Sequence, residues 1–342
     1  MDDFEKLKIL TTIEENFGTL PEDIEQFFLS KINIENIDVV RPRLKRGMGH
    51  EALFYKIFGV LPFVKLLHEL HEKQAPEISK KEFQVPDYLG ILKTLDNNEQ
   101  TVVFDVKGVK EEKTTLKNIM SKQVINCQKY AKSINAELLY PIYWSKIKVF
   151  TLNSIDHFIK KGKTYKIEIG DAFVNDLSII MGDFVYFIPK TIYRKSTYNK
   201  NNKDENRIKN KIYGDLEKEH INNGKIIDLT NVESIILDKC FQFKEMNKIE
   251  KDDFTIVTYQ LDNNSSAKLS THIGSLINNI QDEIELNEKL IIFLVYHLYE
   301  LLNKITDKRI NMFPKRMTTQ SQKLFQNTFN GTGLYDKYRS MP

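Results

Sequence analysis

Apolar positions recur every three to four residues over some stretches of this chain and every second residue over others. The alternation predicts an ordered succession of helices and strands. Residues 2–16 have helical spacing. A second helix is expected from near Thr19-Leu20-Pro21-Glu22-Asp23, where proline and acids suit a first turn, through Ile24, Phe27 and Phe28. His50 to Phe58 turns Leu53, Phe54, Ile57 and Phe58 to one side as a helix, and residues 63–73 predict another. Residues 84–107 predict a β-hairpin, two apolar runs about the turn Leu95-Asp96-Asn97-Asn98. Residues 114–134 predict a helix with Leu116, Met120, Val124, Cys127, Ala131 and Ile134 on one stripe. Strands are expected at 137–143 and 146–152, and strand, helix and strand imply a right-handed crossover and a parallel pair.

Composition shifts after about Phe158, at the polar break Lys160-Lys161-Gly162-Lys163. Strand-like segments follow at 164–169, 183–188, 234–237 and 254–261, and a helix at 288–305. Residues 198–211 are dominated by Asn and Lys and read as a loop. No internal repeat is visible. The expected organisation is a helical leader over 1–40, an α/β domain with a mixed sheet over 41–158, and an α+β domain over 159–342. The last would serve recognition, dimerisation or partner binding.

Length and composition narrow the class. The 342 residues exceed one small core, and 41% hydrophobic with 28% charged residues is a folded composition. A net charge of +3 does not announce a nucleic-acid binder, so any basic surface is local. Cys127 and Cys240 are too few and too far apart for a disulfide framework or a zinc ribbon, which suits a reducing cytoplasm. The start of the chain is acidic, without an apolar targeting segment, and the run Leu290 to Tyr296 is too short to span a bilayer.

The candidate chemistry lies in the hairpin. Folding it about its turn sets Asp87, after Pro86, opposite Asp105 to within a residue. Side chains alternate along a strand, so Val103, Asp105 and Lys107 share one face, and Val102, Phe104 and Val106 the other. Two carboxylates and an ammonium so placed can hold a divalent cation and a water beside a phosphodiester. An Asp-x-Lys triplet alone is worth little in a chain this rich in charge. The added Pro-Asp, the apolar strands and the upstream Glu51 in Gly47-Met48-Gly49-His50-Glu51 give it meaning.

With these residues, the stretch from 47 to about 152 resembles the PD-(D/E)xK nuclease superfamily over about a third of the chain. The resemblance implies a restriction-endonuclease-like mixed β-sheet flanked by helices, and a Mg2+-dependent DNA endonuclease in which Mn2+ can substitute. Asp87 and Asp105 would be direct metal ligands. Glu51 would bind a metal-held water or assist a second metal, and Lys107 would orient the attacking water and steady the developing charge. A restriction or host-defence role is expected on the same grounds, as is a homodimer, since cutting both strands usually takes two active sites. Gln128 and Tyr130 resemble a glutamine-tyrosine helix of some branches, although the two lie only two positions apart.

Arg41, Arg43, Lys45 and Arg46 before the Glu51 helix, with Lys110 and Lys113 after the catalytic strand, form a plausible phosphate-facing rim. Taken singly, each is better read as ordinary surface charge. Lys161-Gly162-Lys163-Thr164 lacks the upstream glycine of a phosphate-binding loop, so nucleotide binding is not expected. His68-Glu69-Leu70-His71 has the wrong spacing for a zinc helix. Two rival readings stand: a structure-specific nuclease on branched or single-stranded DNA or on RNA, and a non-catalytic nucleic-acid-binding or assembly protein built on a nuclease fold.

Overall fold

A computed structural model describes residues 6–7, 10–11, 13, 21–32, 34, 37–71, 76–93, 98–187, 192–201, 209–210, 212–261, 266–280, 288–305 and 309–310. The expected turn at 95–97, most of the helix at 2–16 and the middle of the 198–211 loop lie outside the described residues.

After helical positions at Lys6, Leu7, Leu10, Thr11 and Ile13, the described residues form α1 (Glu22–Leu29) and α2 (Ile37–Phe58). The α2 helix is longer than the pattern implies. It runs through Pro42 and the basic stretch, so Arg43, Lys45 and Arg46 lie on the helix that carries Glu51. There follow β1 (Val64–Glu69), β2 (Tyr88–Lys93), β3 (Glu99–Phe104), β4 (Lys107–Val109), β5 (Thr115–Met120), α3 (Ser121–Ser133), β6 (Glu137–Trp144) and β7 (Val149–Ser154).

Two helix expectations are corrected. Residues 64–69 form the edge strand of the sheet and pair with β2, Leu67 opposite Gly90. Residues 115–120 form a strand, and the helix starts only at Ser121. Asn118 sits at φ 68° where the register shifts between Leu116 and Ile119, so these two buried residues stand three apart. Met120, the stripe partner of Leu116 in the helical reading, is exposed instead.

The resulting mixed sheet runs β1-β2-β3-β6. β3 and β4 both lie parallel to β6 in one register, and β7 is antiparallel on β6's other edge. One face packs on α2, with Phe54, Phe58, Val102, Phe104 and Val106 in one core cluster. The other packs on α3, with Val103, Val124, Cys127, Tyr140 and Ile142 in a second. Alternation along β3 therefore divides its side chains between two cores.

The second half continues with β8 (Ile159–Lys161), β9 (Thr164–Glu168), which joins β5, and α4 (Ile169–Val174). Next come β10 (Val185–Phe187), β11 (Tyr193–Asn199), β12 (Lys209–Asn210), β13 (Gly214–Asn222), β14 (Ile226–Asp228), α5 (Asn231–Cys240), β15 (Phe243–Glu250) and β16 (Phe254–Leu261). The chain then forms β17 (Ser266–Lys268), α6 (Leu269–Ile280), α7 (Glu288–Ile305) and β18 (Arg309–Ile310). An antiparallel sheet, β12-β13-β11-β16-β15, dominates this half. Residues 234–237, expected as a strand, are helical. Thr230 and Glu233 form a capping box, with the Thr230 amide 2.9 Å from Glu233 Oε2, and that box starts α5.

The architecture is a mixed α/β fold with helices on the first sheet and a helical C-terminal region. Packing crosses position 158 without a gap. Ile179, Met181, Leu269 and Ile273 share a core cluster with Phe54 and Phe104. Buried Lys268 ties the halves together, with Nζ 2.6 Å from Asp176, 3.0 Å from Asp183 and 2.8 Å from the Phe150 carbonyl of β7. No helix among the described residues is long and apolar enough to cross a membrane.

Candidate active site

The site forms where the central strand is interrupted. Tyr88 and Phe104 close the β2–β3 ladder, and the Asp87 amide donates to the Phe104 carbonyl at 2.9 Å, so Asp87 flanks Asp105. On the other edge, the Asp105 amide donates to the Leu139 carbonyl at 3.1 Å. A parallel ladder would next need an N–H from residue 141, and Pro141 has none. Ladder pairing resumes at Lys107, opposite Ile142. Between the two pieces of strand, the Val106 amide donates to Asp87 Oδ2 at 2.6 Å. A carboxylate thus takes up a backbone donor inside the break.

Lys107 Nζ lies 2.8 Å from Asp105 Oδ1 and 3.1 Å from the Val106 carbonyl. Gln123 of α3 brings its amide to 3.5 Å from Asp105 Oδ2. Asp105 is 3% exposed and the buried Cys127 lies on the same face. Burial, then the Asp105 charge, pushes the Asp87 carboxyl well above the ordinary carboxylate range. Glu51 adds to the rise, while Lys107 and the Val106 amide oppose it. Burial works against the Lys107 ammonium, but the Asp105 and Asp87 carboxylates outweigh it and hold its proton more tightly than usual. In this state Lys107 is a fixed positive charge, not a base. Burial, then Asp105, also raises the Cys127 thiol, which keeps it protonated.

Glu51 reaches the site through the electrostatics of Asp87 and Tyr88. Its neighbour His50 packs on Tyr143, ring centroids 5.0 Å apart, and over Gly108, where a Cβ would stand 1.9 Å from His50 Nδ1. Among the described residues, no three His, Cys, Asp or Glu side chains close into a metal cage. Mg2+ does not need one, because it keeps several waters and takes one or two carboxylates. The donor set fits such an ion. Two carboxylates press on one another, one is driven toward its neutral form by burial, and a third acid lies within electrostatic reach.

The other sequence expectations fare differently. Arg41 is engaged by Glu25 of α1 at 2.6 Å. Arg43, Lys45 and Arg46 have described backbone on α2, and their side chains lie outside the described residues. Lys110 and Lys113 are exposed in the turn after β4. Gln128 is exposed on α3; the glutamine that reaches Asp105 is Gln123. Sequence reasoning missed Gln123 because one glutamine near a helix start carries no signal of its own.

No protein-family model matches the chain, and no curated protein is matched. Among solved structures it is similar to Hjc, a Holliday junction resolvase from the archaeal hyperthermophile Archaeoglobus fulgidus. Identity is 15%, the match covers 36% of this chain and 90% of that one, and the TM-score is 0.27. A likeness at that level says nothing about activity.

Proposed function

We propose that this protein is a divalent-metal-dependent nuclease that hydrolyses phosphodiester bonds, with DNA as its substrate. The observation that carries the reading is the break in the central strand, which gathers Asp87, Asp105 and Lys107 at one buried spot. Asp87 and Asp105 would hold Mg2+ directly, and Glu51 would hold a water on it. The ion, when bound, neutralises charge on the phosphate and makes a water more acidic. Lys107 keeps its proton and presents its ammonium to the oxygens on which negative charge grows. Asp87 retains the Val106 amide, which orients its second oxygen. Breaking both strands of a duplex takes two such sites, so a homodimer on DNA is part of the proposal.

Incubating supercoiled plasmid with the full chain tests the reading, with Mg2+ or EDTA and beside an Asp105→Asn control. Nicking or linearisation is expected only with Mg2+ and only with the native residue. Branched DNA, single-stranded DNA and RNA run in parallel identify the substrate class. Metal-dependent cutting of none of them would leave the non-catalytic reading in possession.

A further inference from the structure

We infer that Tyr140 is a positioning residue for Asp105, donating its hydroxyl proton to that carboxylate when Asp105 turns from Lys107 toward a divalent cation. The inference rests on the metal-dependent reading above. β6 runs parallel to the interrupted strand, with Leu139 opposite Phe104 and Ile142 opposite Lys107, which sets Tyr140 beside Asp105. Paired residues of neighbouring strands project to the same face, here the α3 side, where Tyr140 joins the cluster of Val103 and Cys127. Tyr140 is fully buried, and its hydroxyl has no hydrogen-bond partner among the described residues. The charge of Asp105 acts on that hydroxyl electrostatically. A buried polar group left so costs about 1–3 kcal/mol, and a fold retains such a group where it has a use.

The acceptor beside it is equally underfilled. Asp105 Oδ1 is held by Lys107 at 2.8 Å, whereas among the described residues Oδ2 meets only the Gln123 amide at 3.5 Å, the outer limit of a hydrogen bond. A carboxylate that ligates a metal through one oxygen is held by a donor on the other. Rotation of Asp105 toward a cation releases Lys107 for the phosphate and offers the second oxygen to Tyr140. The phenol stays neutral throughout, and no proton leaves the pair.

Tyr140→Phe removes one oxygen and keeps the ring. Mn2+ binding to the full chain without nucleic acid, followed by electron paramagnetic resonance of the free ion, should show about tenfold weaker affinity in Y140F than in the native protein. The metal-free melting temperature should not fall, because the lost hydroxyl has no partner in that state. Plasmid cutting by Y140F should recover at about tenfold higher Mg2+ if affinity is what was lost. Equal Mn2+ affinities would overturn the inference and leave the nuclease reading standing. So would a lower metal-free melting temperature with unchanged affinity, the mark of a packing role. If the native protein and Asp105→Asn bind Mn2+ equally poorly, the metal-dependent reading falls, and Tyr140's role falls with it.

Discussion

Asp87 pays for its position with a carboxyl that resists ionisation, since burial and the neighbouring Asp105 both favour its neutral form. Its folded pKa lies above the unfolded value of about 3.9, so the native state binds the extra proton. The stability this proton gives is fully present below the unfolded value and lost as pH rises through the raised one. At neutral pH the burial and the Asp105 repulsion that raise this pKa therefore weaken the metal-free fold. Asp87→Asn should raise the metal-free protein's stability at pH 7 by about 1–2 kcal/mol, read by urea unfolding, and abolish Mg2+-dependent cutting. An asparagine carbonyl can still accept the Val106 amide, so a drop in stability would contradict the electrostatic account. The gain should shrink as pH is lowered through the raised Asp87 pKa. Asp87, Asp105 and Lys107 were legible in the sequence because the hairpin turn sets their register and alternation sets their face. Gln123 was not, because a glutamine on a helix looks like solvation until its amide is seen beside Asp105, and a buried strand aromatic such as Tyr140 looks like packing.

At the scale of elements, the α2 helix and β4 meet through a glycine. An alanine at 108 would put its Cβ 1.9 Å from His50 Nδ1 and 2.3 Å from Cε1, so the ring must leave its place beside Tyr143. His50 precedes Glu51, and any shift of that turn moves the acid. Gly108→Ala should destabilise the fold by about 1–3 kcal/mol and lower cutting. Adding His50→Ala to Gly108→Ala should return part of the lost stability, since the clash has one source; a purely additive double-mutant cycle would show that His50 is not the obstacle. The same scale shows where pattern reading stops. The hairpin, the parallel β3–β6 pair and α7 were legible from period and turn chemistry. The strand at 115–120 was hidden because Leu116 and Met120 stand four apart like a helix, whereas Met120 is exposed and the residue buried with Leu116 across the bulge at Asn118 is Ile119. The edge strand at 64–69 has a burial pattern with one buried residue, Leu67, so its period was too faint to rival a helix.

For the whole molecule, the second half is part of what holds the first. Leu152 of β7 accepts the Leu177 amide at 2.7 Å on its carbonyl and donates its own amide to Asp176 at 2.8 Å. Asp176 and Asp183 in turn hold Lys268, whose charge is 8% exposed on the side chain. Burial works against that ammonium, but Asp176 and Asp183 raise its affinity for a proton above the ordinary lysine value, so it stays charged. Lys268→Met would leave two buried carboxylates facing one another and should cost about 3–5 kcal/mol. Replacing all three as Lys268→Met, Asp176→Asn and Asp183→Asn should cost less than the single change, because no uncompensated charge remains. The shared core gives the linkage a wider consequence: Ile179, Met181, Leu269 and Ile273 cover the same apolar surface as Phe54 and Phe104. A fragment ending at 158 would expose that surface and should be molten, binding a hydrophobic dye and lacking a cooperative thermal transition. The full chain should instead unfold with one transition by near-ultraviolet and far-ultraviolet dichroism alike, and Lys268→Met should move that transition as a unit. Two separate transitions, with only the later residues shifted by the mutation, would mean that the site is held by residues 41–158 alone and that the second half is free to specialise.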